Sequence, residues 1–279
     1  MIFVNDLSFR YPDGPPVLDR INFTIQRGEF VALIGQNGAG KTTLLKHFNG
    51  LLKPTSGSLR IADLDTRKTT TGQLARKVGF LFQNPDHQIF MPTVAQEIGF
   101  GPKNLGLTRA QIEERVAEAA AGVGLTDYLQ ENPLSLSKGQ RQRVAFASLL
   151  SMKPEVLVLD EPTTGQDYRE GIAIMETVSQ LHRQGHTIIF VTHDMELVAA
   201  YAKRVIVLSQ GRVLLDDACQ KVFYQPQTLL ATNLFPPQIA RLVQKFDPSA
   251  YKLPPALTVS EFQEAIRRRW GGETNVGCR

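Results

Sequence analysis

Glu29-Phe30-Val31-Ala32-Leu33-Ile34, followed without a break by Gly35-Gln36-Asn37-Gly38-Ala39-Gly40-Lys41-Thr42-Thr43, is the stretch from which the rest of the chain can be ordered. The first six residues form a nearly continuous apolar run, the pattern of a strand buried on both faces. The next nine fit G-x-x-x-x-G-K-[ST], and Leu44-Leu45-Lys46-His47-Phe48 then reads as helix. The glycines permit a tight loop whose backbone N–H groups converge on phosphate oxygens at a helix N-terminus. Lys41 supplies a cation for β- and γ-phosphates, and the Thr42 hydroxyl is placed to hold Mg²⁺. A glycine-rich turn with an accidental Lys-Thr would not need a buried strand before it and a helix after it. The segment predicts a P-loop nucleotide site formed by residues 35–43.

Two more apolar runs, Val156-Leu157-Val158-Leu159 and Thr187-Ile188-Ile189-Phe190-Val191, are each followed by helix-compatible sequence. Together with residues 29–34 they predict a parallel-sheet core in an α/β layer architecture. Upstream, Ile2-Phe3-Val4, Leu7-Ser8-Phe9-Arg10-Tyr11 and Ile21-Asn22-Phe23-Thr24-Ile25 alternate between turn signals and predict a small antiparallel sheet. Residues from about 84 to 150 read as a helical insertion, with Thr108 capping Arg109–Gly122 and a second helix over Gly139–Leu150. After Val205-Ile206-Val207-Leu208 the α/β pattern ends near Asp216-Asp217. The remainder, broken by Pro236-Pro237 and Pro254-Pro255, reads as a small C-terminal appendage.

Composition excludes several classes. The chain has 279 residues, 42% hydrophobic and 21% charged, close to globular averages, so it can bury a core without a metal or disulfide staple. A net charge of +4 is too small to announce a nucleic-acid protein. Cys219 and Cys278 show no metal or disulfide spacing, which suits a reducing compartment. No apolar run approaches the roughly 18 residues needed to span a bilayer, and Met1-Ile2-Phe3-Val4-Asn5-Asp6 lacks the basic start of a signal peptide. The expectation is a soluble cytoplasmic chain, carried to any membrane by partners.

The second buried run ends in Asp160-Glu161. An Asp leaving the C-terminal end of a parallel strand can hold Mg²⁺ through water, and the Glu beside it can deprotonate an attacking water. Shortly before it lies Leu136-Ser137-Lys138-Gly139-Gln140-Arg141-Gln142-Arg143, and Gln83, Pro162-Thr163-Thr164-Gly165-Gln166-Asp167 and His193 complete an ordered set. In order and strand placement this set strongly resembles the ATPase module of ABC transporters, over residues 1 to about 215. The resemblance implies ATP and Mg²⁺ as ligands and a P-loop NTPase fold with a parallel-sheet core, an antiparallel N-terminal subdomain and a helical subdomain over about 84–150. It implies catalytic roles for Glu161, His193 and Gln83, metal contacts from Thr42, Gln83 and Asp160, adenine stacking by Tyr11, and a D-loop at Asp167. It also implies that the signature residues Ser137, Lys138, Gly139 and Gln140 act in trans on a partner's nucleotide. Taken singly, Gln83 could be an ordinary amide, His193 a capping or core histidine and Tyr11 a packing residue. Arg141 and Arg143 read most simply as a solvated helix face. Two positions depart from the family pattern: Lys138 replaces the first glycine of the signature, and Gln166 stands where the D-loop more often carries Leu. Neither removes a donor or a metal ligand, so an active site is expected.

Gln83-Asn84-Pro85-Asp86-His87-Gln88-Ile89-Phe90, Thr93-Val94, Glu97-Ile98-Gly99-Phe100-Gly101-Pro102 and Leu234-Phe235-Pro236-Pro237-Gln238-Ile239-Ala240 are similar to the ATPase subunits of energy-coupling-factor transporters, importers of metal ions and vitamins. This implies a second ATPase subunit, identical or paralogous, a transmembrane coupling protein docking near 84–102, a separate membrane substrate-binding subunit, and a place on the cytoplasmic face of the membrane. It also implies a dimerising role for an appendage over 216–279, after an ATPase domain over 1–215. Residues 84–102 can also be read as a surface loop shaped by prolines, but Ile89, Phe90 and Met91 look exposed and would suit a groove for a partner helix. Two rivals remain: a soluble ABC ATPase of nucleic-acid repair or the ribosome, disfavoured by one P-loop and no heptad run, and a small-molecule phosphotransferase, which has no use for Leu-Ser-Lys-Gly-Gln.

Overall fold

The computed structural model describes residues 1–230, 232–246 and 253–270. Its strands are β1 (Ile2–Arg10), β2 (Pro16–Ile25), β3 (Phe30–Gly35), β4 (Ser56–Ile61), β5 (Leu64–Asp65), β6 (Val78–Leu81), β7 (Val156–Asp160), β8 (Thr187–Val191), β9 (Arg204–Ser209) and β10 (Arg212–Ala218). The helices are α1 (Lys41–Phe48), α2 (Thr71–Ala75), α3 (Val94–Asn104), α4 (Arg109–Gly122), α5 (Lys138–Ser151), α6 (Tyr168–Arg183), α7 (Met195–Tyr201), α8 (Cys219–Phe223), α9 (Pro226–Leu230), α10 (Gln238–Lys245) and α11 (Val259–Trp270).

Two sheets form. The larger has the order β10-β9-β3-β8-β7-β6, with β3 paired in parallel to both β8 and β9 and only β10 antiparallel. The smaller, β2-β1-β4-β5, is antiparallel throughout. Its pairing of β1 with β4 closes a strand the sequence reading did not name.

The apolar run at 30–34 is continuous because both of its faces are covered. Phe30, Ala32 and Ile34 enter a core shared with α5, α6 and α7, while Val31 and Leu33 enter a second core with α1 and the antiparallel sheet. Burying each such large side chain stabilises by about 1.5–3 kcal/mol, so this strand is fixed in register from two sides. The parallel order brings the C-terminal ends of β3, β7 and β8 side by side, where ligand crevices form in such sheets.

The helical region packs α3 and α4 against α5. Pro102 inside α3 has no N–H to give the Ile98 carbonyl, and the Ser151 hydroxyl from the end of α5 donates to that carbonyl instead, at 2.7 Å. Beyond β10 the chain folds back onto the same core, to which Val222, Phe223, Leu229, Ala240 and Leu257 all contribute. Tyr224 ties the segment down, donating to the Ala256 carbonyl at 3.1 Å and accepting from the Ala256 N–H at 2.9 Å. No described helix is long and apolar enough to cross a membrane.

Candidate nucleotide site

The loop between β3 and α1 needs backbone that only glycine takes easily. Gly40 sits at φ 99°, and a Cβ there would lie 2.7 Å from Leu18 Cδ2 and 3.1 Å from the Val17 carbonyl. Lys41 folds over the loop and donates to the Gly35 and Gln36 carbonyls at 2.7 and 2.8 Å. Burial pushes its ammonium below the usual lysine range, while Glu161 and Asp160 pull it back up. Lys41 lines the cleft at the α1 N-terminus, where a phosphate would be met by the helix N–H groups.

From the end of β7, the buried Asp160 accepts from the Thr42 hydroxyl at 3.1 Å. Burial raises its carboxyl above the ordinary range, and the Thr42 hydrogen bond opposes that shift. Two oxygens from distant parts of the chain thus meet where a hard cation takes oxygen ligands, and Thr42 and Asp160 suit Mg²⁺. Glu161 follows at φ 52°, a conformation that strains a non-glycine residue by about 1–3 kcal/mol. Its N–H donates to the Val191 carbonyl at 2.9 Å, which holds the strained turn, and its carboxylate accepts from His193 Nδ1 at 2.9 Å. The Glu161 side chain is 11% exposed and that of His193 85%. One partner is sunk in the cleft and the other reaches out of it.

The cleft is lined by Asn37, Gly38, Gly40, Lys41, Thr42, Thr43, Gln83, Asp160 and Glu161, with Val17 and Val191 beside them. The structure thus brings together the loop, Gln83 and the acidic pair. Val17 and Val191 are additions that only the fold could supply, since neither carries a chemical signal in sequence. Tyr11 lies just outside, 41% exposed, with its hydroxyl 3.4 Å from Thr43 Oγ1 and its ring edge-on to Phe9 at 4.9 Å. Phe9 is in turn edge-on to the buried His47, whose Nδ1 donates to the Thr43 carbonyl at 2.7 Å.

The residues 137–140 do not line this cleft. Ser137 is the N-cap of α5, its hydroxyl accepting from the Gln140 N–H at 3.2 Å while the Gln140 side chain accepts from the Ser137 N–H at 2.9 Å. Lys138 is exposed and Gly139 buried. Asp167 caps α6, accepting from the Glu170 N–H at 2.8 Å.

Two readings from sequence are corrected. Arg141 and Arg143 are not a solvated face: their side chains are 19% and 21% exposed. Arg141 donates to Asp86 at 2.7 Å and to the Leu136 carbonyl at 2.6 Å, and Arg143 pairs with Glu170 at 3.3 Å. Within 84–102, Ile89 is buried and Phe90 is 62% exposed. The loop turns Ile89 inward because the buried Glu97 accepts from the N–H groups of Phe90 and Met91 at 3.0 and 2.8 Å.

Residues 18–164 match the ABC transporter family. The energy-coupling factor transporter ATP-binding protein EcfA of Methanothermobacter thermautotrophicus is 41% identical over 275 residues, 98% of this chain and 88% of that protein. Among solved structures, cbiO1 from Clostridium perfringens, part of the ABC transporter complex cbiONQ, superposes with TM-score 0.73 at 37% identity, covering 87% of this chain and 98% of that one. The ATP-binding cassette MJ0796, as a post-hydrolysis dimer bound to ADP and Pi, superposes with TM-score 0.72 at 28% identity, covering 78% and 99%. The chain spans less than half the length of other curated relatives that it matches at 41–48% identity, from Caldanaerobacter subterraneus, Methanosarcina mazei and Methanosarcina acetivorans. A loop, an acidic pair and a histidine assembled as above, on a chain with these relatives, carry one conclusion: the protein belongs to the ABC transporter ATP-binding family, in its energy-coupling-factor branch.

Proposed function

We propose that the chain is the ATP-hydrolysing motor of an energy-coupling-factor importer. It works at the cytoplasmic face of the membrane and drives uptake of a metal ion or vitamin through membrane partners. The observation that carries this is the meeting of Thr42–Asp160 and Glu161–His193 in the cleft beneath the loop of residues 35–43. In this reading the loop and Lys41 bind the phosphates of ATP, and Tyr11 stacks on adenine. Thr42 and Asp160, with Gln83, hold Mg²⁺, which would neutralise charge on the phosphates. Glu161 takes a proton from the attacking water, and His193 fixes the carboxylate that does so.

Two subunits then face head to tail, so that Ser137–Gln140 of each reach the other's γ-phosphate, as a two-fold arrangement requires. That the similar cassette MJ0796 is solved as a dimer with ADP and Pi supports pairing of two subunits. The appendage from 216 onward would keep the subunits together between cycles. Leu51, Phe80, Phe82, Phe90, Phe100 and Met152 line an apolar groove, with Phe90 and Phe100 edge-on at 4.9 Å. A helix of the membrane coupling protein would seat there, next to a separate substrate-binding membrane subunit.

Glu161→Gln tests the hydrolytic assignment. The amide oxygen still accepts from His193 but takes no proton, so ATP affinity holds while turnover falls by about 10²–10⁴. Lys41→Ala weakens binding itself. Wild-type turnover in Glu161→Gln would refute the assignment of the base.

A further inference from the structure

The two departures from the family pattern, Lys138 and Gln166, meet in the structure. Gln166 Nε2 donates to the Gly139 carbonyl at 2.9 Å. The approach is tight: a Cβ at 139 would lie 3.0 Å from the Gly165 carbonyl and in ordinary contact, 3.5 Å, with both polar atoms of Gln166. On the other side, a Cβ at Gly165 would lie 3.5 Å from Cγ and Cδ of Lys138. The Lys138 stem thus lies against Gly165 while the Gln166 amide holds the first turn of α5. Arg143–Glu170, at 3.3 Å, repeats the link one turn further along both helices.

The loop doing the holding is itself anchored. The Thr164 N–H donates to the Glu161 carbonyl at 3.1 Å, and the Gln166 N–H to the Thr163 carbonyl at 3.2 Å. An unbroken series of short contacts therefore runs from Glu161, in the chain's own cleft, to Gly139 in the turn that faces outward. Leucine at 166 would fill the space but give the Gly139 carbonyl no donor.

We propose that Gln166 is a positioning residue for hydrolysis: through the Gly139 carbonyl it sets the angle at which the Ser137–Gly139 turn meets a partner subunit's phosphate. This rests on the reading above that the turn acts in trans. A turn aimed by one neutral hydrogen bond loses accuracy when that bond is removed. The cost falls on the step in which the turn touches phosphate, and not on nucleotide binding within one subunit.

The test compares Gln166→Met, Gln166→Glu and Ser137→Ala in the full-length protein, with steady-state ATPase kinetics, binding of a fluorescent ATP analogue at concentrations where the protein is monomeric, and thermal melting. Gln166→Met keeps the shape and loses the donor. Its kcat should fall about fivefold, the size of one net hydrogen bond, with monomer nucleotide affinity unchanged and Tm lowered by only about 2–4 °C. Gln166→Glu sets a carboxylate against the Gly139 carbonyl and should be slower still at pH 8. Set against a carbonyl acceptor at a half-buried position, the carboxyl holds its proton above the ordinary range, so the rate relative to wild type should rise as pH falls from 8 toward 5, where the protonated carboxyl donates again. A merely space-filling role would give no such recovery. Wild-type kcat in Gln166→Met, or a Gln166→Glu ratio flat with pH, overturns the proposal while Ser137→Ala still lowers kcat. Wild-type kcat in Ser137→Ala overturns the trans reading and the proposal with it.

Discussion

Replacing Arg141 with alanine should cost far more stability than replacing its ionic partner, and the structure says why. Arg141 makes two bonds, one to the Asp86 carboxylate at 2.7 Å and one to the Leu136 carbonyl at 2.6 Å. Asp86 is 46% exposed and meets the guanidinium through one oxygen, so the ion pair is worth at most about 1 kcal/mol. The bond to Leu136 joins a charged donor to a carbonyl on the approach to α5 and is worth about 1.5–3 kcal/mol. Arg141→Ala should therefore destabilise by about 2–3 kcal/mol, or about 4–10 °C in Tm for a chain of this size. Asp86→Ala should lower Tm by less than about 4 °C, and the double variant should melt close to Arg141→Ala. Thermal melting of the four proteins without nucleotide makes the comparison. Equal losses in the two single variants, or a coupling energy as large as the whole Arg141 effect, would show that the ion pair and not the carbonyl bond holds the segment.

Asp160→Asn should raise Tm at pH 7.5 while abolishing stabilisation by Mg²⁺-ATP. Burial lifts the Asp160 carboxyl above its ordinary value of 3.8, so the folded state holds this proton more tightly than the unfolded chain, and ionised Asp160 costs stability above the raised range. The gain from asparagine should accordingly shrink as pH falls toward 3.8, and a pH-independent gain would refute the argument. Cys219 is buried, with its thiol pushed up to about 12 chiefly by burial. Iodoacetamide at pH 8 should leave it unmodified in the native protein and alkylate it in urea, as read by peptide mass mapping; rapid native labelling would contradict the packing of α8.

The readings that succeeded from sequence rest on contiguous segments. Residues 29–43 carry a strand, a loop and a helix start in one uninterrupted stretch, and the pattern of buried runs announced a parallel sheet. The failures share a cause in partners that only the fold brings into contact. Nothing near Arg141 in sequence indicates Asp86, 55 residues away, and nothing near Gln166 indicates Gly139. A helix face reads as solvated until its long-range partners are placed. Ile89 reads as exposed because nothing in the sequence shows that the Glu97 carboxylate of the same stretch is buried and gathers the Phe90 and Met91 N–H groups. Single-residue roles are legible when local backbone geometry dictates them, and illegible when the partner arrives through tertiary packing.

The strand order β9-β3-β8 has a consequence for how this chain is made. Phe30 pairs with Ile188 and Val31 with Arg204, so both neighbours of the strand that launches the phosphate loop are encoded about 160 or more residues downstream. At a synthesis rate of about 5–20 residues per second, β3 leaves the ribosome about 8–30 s before its neighbours exist. Through that interval Phe30–Ile34 is an apolar strand with two open edges, the kind of segment that sticks to other nascent chains. ATP offers no early help, because Asp160 and Glu161 are themselves translated more than a hundred residues after Lys41. The N-terminal half must wait for the C-terminal half before its nucleotide can reward folding, so the strand most central to the site is also the one left unpaired longest during synthesis.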